Sequence, residues 1–342
     1  MIKKLSTVLA ASALVASTVL VGPAAFAGET VTAGGASYSL ALQTACTAAY
    51  TDHKVTYANL GSGTGKKNYQ AGTLDFAGSD SLYGSTETKP KNFTYIPLLG
   101  GPIAMIYNLP GVTRLNLTPE VISGIYTGKI TKWNDAAIKA DNKTAKLPNE
   151  TIIPVYRSDN SGTSNNFANF LYQTVDKKWA ANDSFATAAK GLGGVAANGV
   201  GGNKSTGVVT SVKTTGYSIG YVDLGDAVKN SLPAAHVKNG SGQFIAPSVN
   251  TSAKFISVQT IKPTTGQVLF DYNKKVPGAY SLSLVSYGIA PLKNGTAKGD
   301  AVRDYLTYFV TECAPSKAAA EYFVAPSGLL LETAKKLLAK ID

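Results

Sequence analysis

The 342-residue chain is poor in the side chains that most often carry chemistry. It has two histidines, His53 and His236, and two cysteines, Cys46 and Cys313. These four residues form no zinc-binding spacing, and we expect neither a metal cluster nor a cofactor. No serine lies in the G-x-S-x-G elbow of α/β-hydrolases, and a serine hydrolase would need one of the two histidines as its base. The sequence therefore argues against metal-dependent and serine-dependent enzymes.

Charged residues are also scarce, at 15% of the chain, although the formal net charge is +11. Lysine and arginine occur singly or in pairs such as Lys66-Lys67 and Lys177-Lys178, and no longer basic run is present. Scattered lysines are typical of a solvated surface, whereas nucleic-acid-binding proteins concentrate basic residues in patches. We therefore expect no nucleic-acid partner, while small anions remain compatible with the charge.

A long apolar run occurs only near the N-terminus. Lys3-Lys4 precede apolar residues 5–21, Pro23 breaks the run, and the AFA segment at 25–27 has the small-x-small pattern of a cleavage site. We interpret residues 1–27 as a signal peptide cleaved after Ala27 and predict an exported protein, periplasmic or extracellular. No cysteine lies near the cleavage site to accept a lipid anchor. An uncleaved membrane anchor is the weaker alternative, because serine and threonine interrupt the run.

Short apolar segments alternate with helical patterns beyond residue 28, which indicates an α/β fold. The length favours two domains, since it exceeds what one hydrophobic core usually supports. The apolar span 95–107, interrupted by Gly100-Gly101-Pro102, is long enough for two strands and is predicted to cross between domains. Further strands are predicted at 30–32, 55–60, 74–78, 151–156, 218–222 and 281–291. Helices are predicted at 40–50 with Ser39 as N-cap, and at 66–70, 163–175, 301–311, 315–323 and 329–341. A further helix is predicted to begin at Thr118-Pro119-Glu120.

Three predicted strand-to-helix junctions are rich in glycine and hydroxyl residues: AGGASYS at 33–39, GSGTGKK at 61–67 and LDFAGSD at 74–80. Such junctions expose unpaired N–H groups at a helix N-terminus, which favours anions. GSGTGKK fails the ATP-loop pattern, and AGGASYS lacks dinucleotide-binding spacing. A tight structural turn is the alternative for either loop. Asp80 stands out because it ends a predicted buried strand, with a helix N-cap as the alternative role.

The segment RSDNSGTSNNF, residues 157–167, joins a predicted strand to a predicted helix. Arg157 can donate two parallel hydrogen bonds to an oxyanion, and Ser161, Gly162 and Thr163 can offer hydroxyl and backbone donors at a helix N-terminus. Asp159 would then hold the guanidinium in place. The alternative is that Asp159 or Ser161 only caps the helix and Arg157 lies on the surface.

The segments TAGGASYS, GSGTGKK, LDFAGSD, RSDNSGTSNNF, GKITKWND and SIGYVD occur with the order and separations of high-affinity phosphate-binding proteins, the exported receptors of phosphate ABC transporters. The chain resembles this family over essentially its whole mature length. The resemblance implies a class II periplasmic-binding-protein fold, in which two domains joined by two crossover segments close over one dehydrated phosphate. Domain I would then comprise 28–104 with 284–342, and domain II 105–283.

The resemblance also implies the ligand contacts, partners and activity. A phosphate ion would be held by Ser37, Tyr38, Ser62, Asp80, Arg157, Ser161, Gly162 and Thr163, with Asp159 supporting the arginine. Gly63 and Thr64 depart from the family's commoner Ser-Gly pair. The expected partners are hydrogen phosphate and a membrane ABC permease, and we expect a monomer without turnover. Alternatives are a receptor for another tetrahedral oxyanion, such as sulfate or molybdate, or a secreted phosphate-ester hydrolase.

The residues alone leave open whether the two cysteines are free or paired. The resemblance places Cys46 and Cys313 in the same discontinuous domain and therefore implies a disulfide between them.

Overall fold

The computed structural model describes residues 28–292 and 295–341. The predicted signal peptide, residues 1–27, lies outside these ranges. The strands are β1 Thr30–Gly35, β2 Lys54–Asn59, β3 Phe76–Ser79, β4 Phe93–Asn108, β5 Asn116–Leu117, β6 Ile153–Arg157, β7 Val200–Gly202, β8 Ser218–Asp223, β9 His236–Lys238, β10 Phe244–Ile245, β11 Thr260–Ile261, β12 Val268–Leu269 and β13 Ser283–Pro291. The α-helices are α1 Leu40–Ala49, α2 Ser62–Gln70, α3 Pro119–Tyr126, α4 Ala136–Ala140, α5 Gly162–Thr174, α6 Phe185–Ala189, α7 Lys204–Thr214, α8 Leu224–Lys229, α9 Val249–Ile256, α10 Ala297–Tyr308, α11 Ala314–Lys317 and α12 Gly328–Leu338.

One mixed sheet runs through the molecule in the order β2-β1-β3-β13-β4-β8-β6-β7. The pairs β1/β2, β1/β3, β6/β8 and β6/β7 are parallel, and β13 pairs antiparallel with both β3 and β4. We name β1–β3, their connections up to β4, and β13 with the helices that follow it the first lobe. The second lobe comprises β6–β8 and the segments that connect them. Strand β4 is shared by the two lobes.

Strand β4 corrects the prediction of two strands at 95–107, because the span forms one strand of 16 residues. Its first part, Phe93–Pro102, pairs with β13, and its second part, Ile103–Asn108, pairs with β8. Pro102 lies at the changeover between these partners, where a residue without an N–H group is tolerated. The predicted break is therefore the point where the strand passes from one lobe to the other.

Helix α9 lies within the segment predicted as domain II but packs against β4 and β13. Its Ile256 belongs to a buried apolar cluster with Tyr95, Val285 and Tyr287. This packing favours a second crossover earlier in the chain than residue 284. The domain boundaries themselves stay a prediction.

The helices agree with the sequence patterns where an apolar stripe or a cap is clear. Thr118 caps α3, since its side chain accepts a hydrogen bond from the Val121 N–H, with Pro119 at the first helical position. Ser39 occupies the predicted N-cap position of α1, although its side chain makes no capping hydrogen bond. Two local predictions are wrong: α2 begins at Ser62 rather than Lys66, and the helix expected at 315–323 is only Ala314–Lys317. In the described ranges no helix combines the length and apolarity needed to cross a membrane.

Cys46 in α1 and Cys313, at the end of the π-helical turn Phe309–Cys313, form a disulfide with a Cα–Cα distance of 5.7 Å. The bond ties α1 to the C-terminal helices of the first lobe across 267 residues of sequence.

We expect the double variant Cys46→Ala/Cys313→Ala to lose about 2 to 5 kcal/mol of the free energy of unfolding, because a cross-link restricts the unfolded chain. Urea unfolding of the variant and the wild type measures this loss. In the wild type, thiol labelling under denaturing conditions should require prior reduction. Labelling without reductant would show that the disulfide is absent.

Candidate functional site

The predicted ligand residues follow the carboxyl ends of strands that run in parallel pairs. Ser37 and Tyr38 follow β1, Ser62 follows β2, Asp80 follows β3, and Arg157 is the last residue of β6. Helices α1, α2, α5 and α7 begin within a few residues of β1, β2, β6 and β7 respectively. In open α/β sheets this edge is the usual place for a ligand, and helix N-termini there attract anions. All eight predicted ligand residues are buried.

Arg157 forms a buried ion pair with Asp159. Its Nε and Nη2 donate to the two carboxylate oxygens of Asp159, both at 2.7 Å. Asp159 Oδ1 also accepts from the backbone N–H of Lys204 at 2.9 Å. Burial raises the pKa of Asp159, but the Arg157 guanidinium outweighs this and holds the pKa below its usual value. Arg157 is 3% exposed, so the alternative of a surface arginine is wrong.

The first lobe closely approaches this ion pair. Gly61 precedes α2 with φ +79°, and a Cβ at this position would lie 2.6 Å from Asp159 Oδ2. The glycine therefore allows the backbone before Ser62 to lie against the second lobe. The start of α2 in the first lobe and Arg157 in the second lobe therefore lie next to each other across the boundary between the lobes, which we call the seam.

Asp80 is a buried acceptor between hydroxyl groups from distant parts of the chain. Its Oδ1 accepts from Ser286 Oγ at 2.7 Å, and its Oδ2 accepts from Thr163 Oγ1 at 3.2 Å. Burial raises the pKa of Asp80 to about 6, against the lowering effects of the Ser286 hydrogen bond and the Arg157 charge. No helix begins between Asp80 and β4 in the described residues, so the alternative N-cap role is wrong.

The N-termini of α2 and α5 meet beside Asp80. Ser62 Oγ accepts from the Asp80 N–H at 3.2 Å. A Cβ at Gly162 would lie 2.6 Å from Ser62 Oγ, so only glycine fits this approach. Ser161 caps α5 by accepting from the Ser164 N–H at 3.2 Å. The structure thus gathers Ser62, Asp80 and the Ser161-Gly162-Thr163 segment in one place.

Ser37 and Tyr38 reach the seam from the first loop. Ser37 Oγ lies 3.0 Å from Ser205 Oγ and accepts from the Ser205 N–H at 3.3 Å. The Tyr38 hydroxyl donates to Pro102 O at 3.1 Å, and its ring packs 5.4 Å from that of Phe323. Because this side chain is engaged in the fold, a contact between Tyr38 and an anion would fall to its backbone N–H.

Sequence reasoning missed three site residues: Ser286, Ser205 and Asn166. Asn166 Nδ2 donates to the backbone carbonyl of Asp80 at 2.7 Å and so joins α5 to the first lobe. Ser286 is a polar residue within the buried strand β13, next to a register shift in the pairing with β4, and that contrast was an available signal. Bulges of this kind often re-aim a side chain near a functional site. Nothing in the sequence pairs these residues with their distant partners.

The arrangement can surround a small oxyanion. It provides the Arg157 guanidinium, several hydroxyls and helix N-termini as donors, and it adds the Asp80 carboxylate as an acceptor, while the Asp159 carboxylate is engaged by Arg157. Such a mixture fits a tetrahedral anion that still carries a proton.

The raised pKa of Asp80 predicts a pH-dependent stability of the ligand-free protein. The group binds a proton more tightly when folded, so its contribution is full below about pH 4 and is lost as the pH rises through about 6, by an amount on the order of 3 kcal/mol. Asp80→Asn should therefore stabilise the protein relative to the wild type more at pH 7 than at pH 4.5 in urea unfolding. An equal difference at both pH values would contradict this expectation.

The chain is similar in sequence to known families and proteins. Residues 22–312 match the family model of the PBP superfamily domain. The phosphate-binding protein PstS of Xylella fastidiosa (strain Temecula1) is 32% identical over 266 residues, covering 76% of this chain and 71% of that relative. The phosphate-binding protein PstS of Pasteurella multocida is 36% identical over 231 residues, covering 65% of this chain and 64% of that relative, slightly under two thirds of its length.

Solved structures show the same fold. A high-affinity periplasmic phosphate-binding protein solved with phosphate bound has a TM-score of 0.75 at 21% identity, covering 90% of this chain and 93% of that chain. A putative phosphate ABC transporter substrate-binding protein from Clostridium perfringens has a TM-score of 0.63 at 18% identity, covering 87% and 100%. At these identities the likeness confirms the predicted class of α/β fold.

The sheet, the buried site and the family match define a member of the PBP superfamily. Within that superfamily the chain belongs to the family of phosphate-binding proteins PstS.

Proposed function

We propose that this chain is exported, binds one hydrogen phosphate ion between its two lobes, and delivers it unchanged to an ABC permease. The observation that carries the proposal is the buried convergence of Arg157, Asp80 and the N-termini of α2 and α5 at one seam. The relatives named above are phosphate-binding proteins, which agrees with capture rather than chemical conversion.

The proposed ligand contacts combine charge and hydrogen bonding. Arg157 supplies the formal positive charge, restrained by Asp159 so that little side-chain freedom is lost on binding. Ser62, Ser161, Gly162 and Thr163 supply hydroxyl and backbone donors from both lobes, and Ser37 and Tyr38 complete the set from the first loop. Closure over the ion would exclude water and strengthen each of these hydrogen bonds.

Asp80 provides selectivity by accepting a proton. Hydrogen phosphate can donate its P–O–H to a carboxylate that already accepts two hydroxyl groups, because a carboxylate has about four acceptor positions. Fully ionised sulfate has no proton to donate, so its lone pairs would face the negative carboxylate. Sites that leave a buried polar group unpaired reject the wrong ligand by roughly 10⁴ to 10⁵.

Two assays on ligand-stripped protein, both run at neutral pH, separate binding from turnover. Equilibrium dialysis with radiolabelled phosphate should show one bound ion per chain, displaced by unlabelled phosphate but not by equal concentrations of sulfate or molybdate. Incubation with p-nitrophenyl phosphate should release no phosphate above the buffer rate. Displacement by sulfate would favour a general oxyanion receptor, and sustained release would favour a hydrolase.

A further inference from the structure

Lys66 is a buried lysine that the phosphate contacts do not use. It lies in α2 and is 1% exposed. Its ammonium nitrogen lies 2.8 Å from Glu87 Oε2 and 3.0 Å from Asp183 Oδ2, and it donates to Leu82 O at 3.1 Å. The Asp183 contact is an ion pair without the alignment of a hydrogen bond. Lysine is almost never fully buried unless it is paired, so this cluster needs an explanation.

The two carboxylates belong to different lobes. Glu87 lies between β3 and β4 in the first lobe, as Lys66 does between β2 and β3. Asp183 lies between β6 and β7 in the second lobe. The Lys66–Glu87 pair therefore lies within one lobe, whereas the Lys66–Asp183 pair spans the seam.

The seam-spanning pair is attached to both helix N-termini of the site. Lys66 lies one helical turn after Ser62 in α2. The backbone carbonyl of Asp183 accepts from the Ser161 N–H at 2.9 Å, and its Oδ1 accepts from Asn165 Nδ2 at 3.0 Å. The pair thus joins the start of α2 to the start of α5 at a point beside the site.

We propose that Lys66 and Asp183 are positioning residues whose ion pair forms when the lobes close and slows the release of phosphate. The inference rests on the proposed function, since it concerns the same site. Opening the seam separates the two charges and returns each to water. In the closed form, removing the charge of Asp183 would leave Lys66 with Glu87 as its one carboxylate partner among the described residues, and removing the charge of Lys66 would leave Asp183 beside no counter-charge there. Either change therefore selectively destabilises the closed form. Glu87, whose side chain is 38% exposed, stays beside Lys66 in either state.

Stopped-flow kinetics on ligand-stripped protein tests the pair. Asp183→Asn keeps the size of the side chain and an oxygen for Asn165 but removes the charge. We expect it to raise the phosphate release rate by about 10- to 100-fold, with the association rate changed less than about threefold. Lys66→Met should have a similar effect. The double variant should release phosphate no faster than the faster-releasing single variant, because the first change already removes the pair.

Two control variants distinguish closure from general stability. Glu87→Gln weakens the pair within the first lobe, so it should lower the melting temperature of the ligand-free protein while the release rate stays within about threefold. Lys67→Met alters the exposed neighbouring lysine and should change neither quantity.

Several outcomes would overturn the inference. A release rate for Asp183→Asn within about twofold of the wild type would do so, as would multiplicative effects of Lys66→Met and Asp183→Asn in the double variant. Wild-type protein that binds no phosphate would overturn the proposed function and the ion-pair role together. Normal binding with unaltered release in Asp183→Asn would overturn only the ion-pair role.

Discussion

Arg157→Ala is expected to weaken phosphate binding by more than about 2 kcal/mol, which is roughly thirtyfold or more in Kd. The guanidinium is the formal cation among the proposed ligand contacts, and it is buried and fixed by two hydrogen bonds to Asp159. Its removal leaves a dianion next to Asp159 and Asp80 without a compensating charge. Calorimetry with phosphate at neutral pH measures the change.

Arg157→Lys is the matched control for this prediction. It retains a positive charge but loses the planar pair of donors, so it should bind phosphate more tightly than Arg157→Ala and more weakly than the wild type. Near-native affinity in Arg157→Ala, in protein with an unchanged circular dichroism spectrum, would remove Arg157 from the binding site.

Asp80→Asn is expected to reduce the preference for phosphate over sulfate by at least about 100-fold. A buried acceptor of this kind can contribute a discrimination between ligands of roughly 10⁴ to 10⁵. The amide has nearly the same shape but can donate a hydrogen bond to a fully ionised oxyanion, so the repulsion of sulfate disappears. Competition binding with labelled phosphate and unlabelled sulfate at pH 7.5 measures the ratio.

Ser286→Ala provides the control for Asp80→Asn. It removes the hydroxyl that donates to Asp80 Oδ1 at 2.7 Å but leaves the carboxylate in place. The preference for phosphate should therefore persist in Ser286→Ala. An unchanged preference in Asp80→Asn would mean that the carboxylate does not act as the discriminating acceptor.

The sequence contained enough local information to predict the loops of the site. Each of the segments that contain Ser37, Ser62, Asp80 and Arg157 joins a strand to a polar, glycine-containing turn, and that pattern depends only on neighbouring residues. Because carboxyl ends of parallel strands meet at one edge, the loops could be expected to converge once an α/β fold was inferred. The fold class was likewise predictable from alternating strands and helices.

Long-range partners could not be predicted in the same way. Ser286 is 206 residues from Asp80, and Ser205 is 168 residues from Ser37, so their hydrogen bonds depend on the completed sheet. The early start of α2 was missed because Ser62, Gly63 and Gly65 have weak helix propensity, which tertiary contacts with the second lobe override. Packing also decided the place of α9, whose sequence pattern does not indicate which lobe covers its apolar face.

The disulfide between the two cysteines also depends on the completed fold. Cys46 and Cys313 were too far apart in sequence for a local argument, and only their shared lobe made a disulfide plausible. In the structure the α1 and C-terminal helices bring their Cα atoms to 5.7 Å, a normal separation for a disulfide.

Calorimetric titration of ligand-stripped mature protein with phosphate, followed by sulfate, tests the central claim most directly. We expect one tight phosphate site per chain and no heat of binding with sulfate at pH 7.5. Absence of phosphate binding by folded protein shown to carry no residual ligand would contradict it, and the loops would then be structural turns or serve another anion.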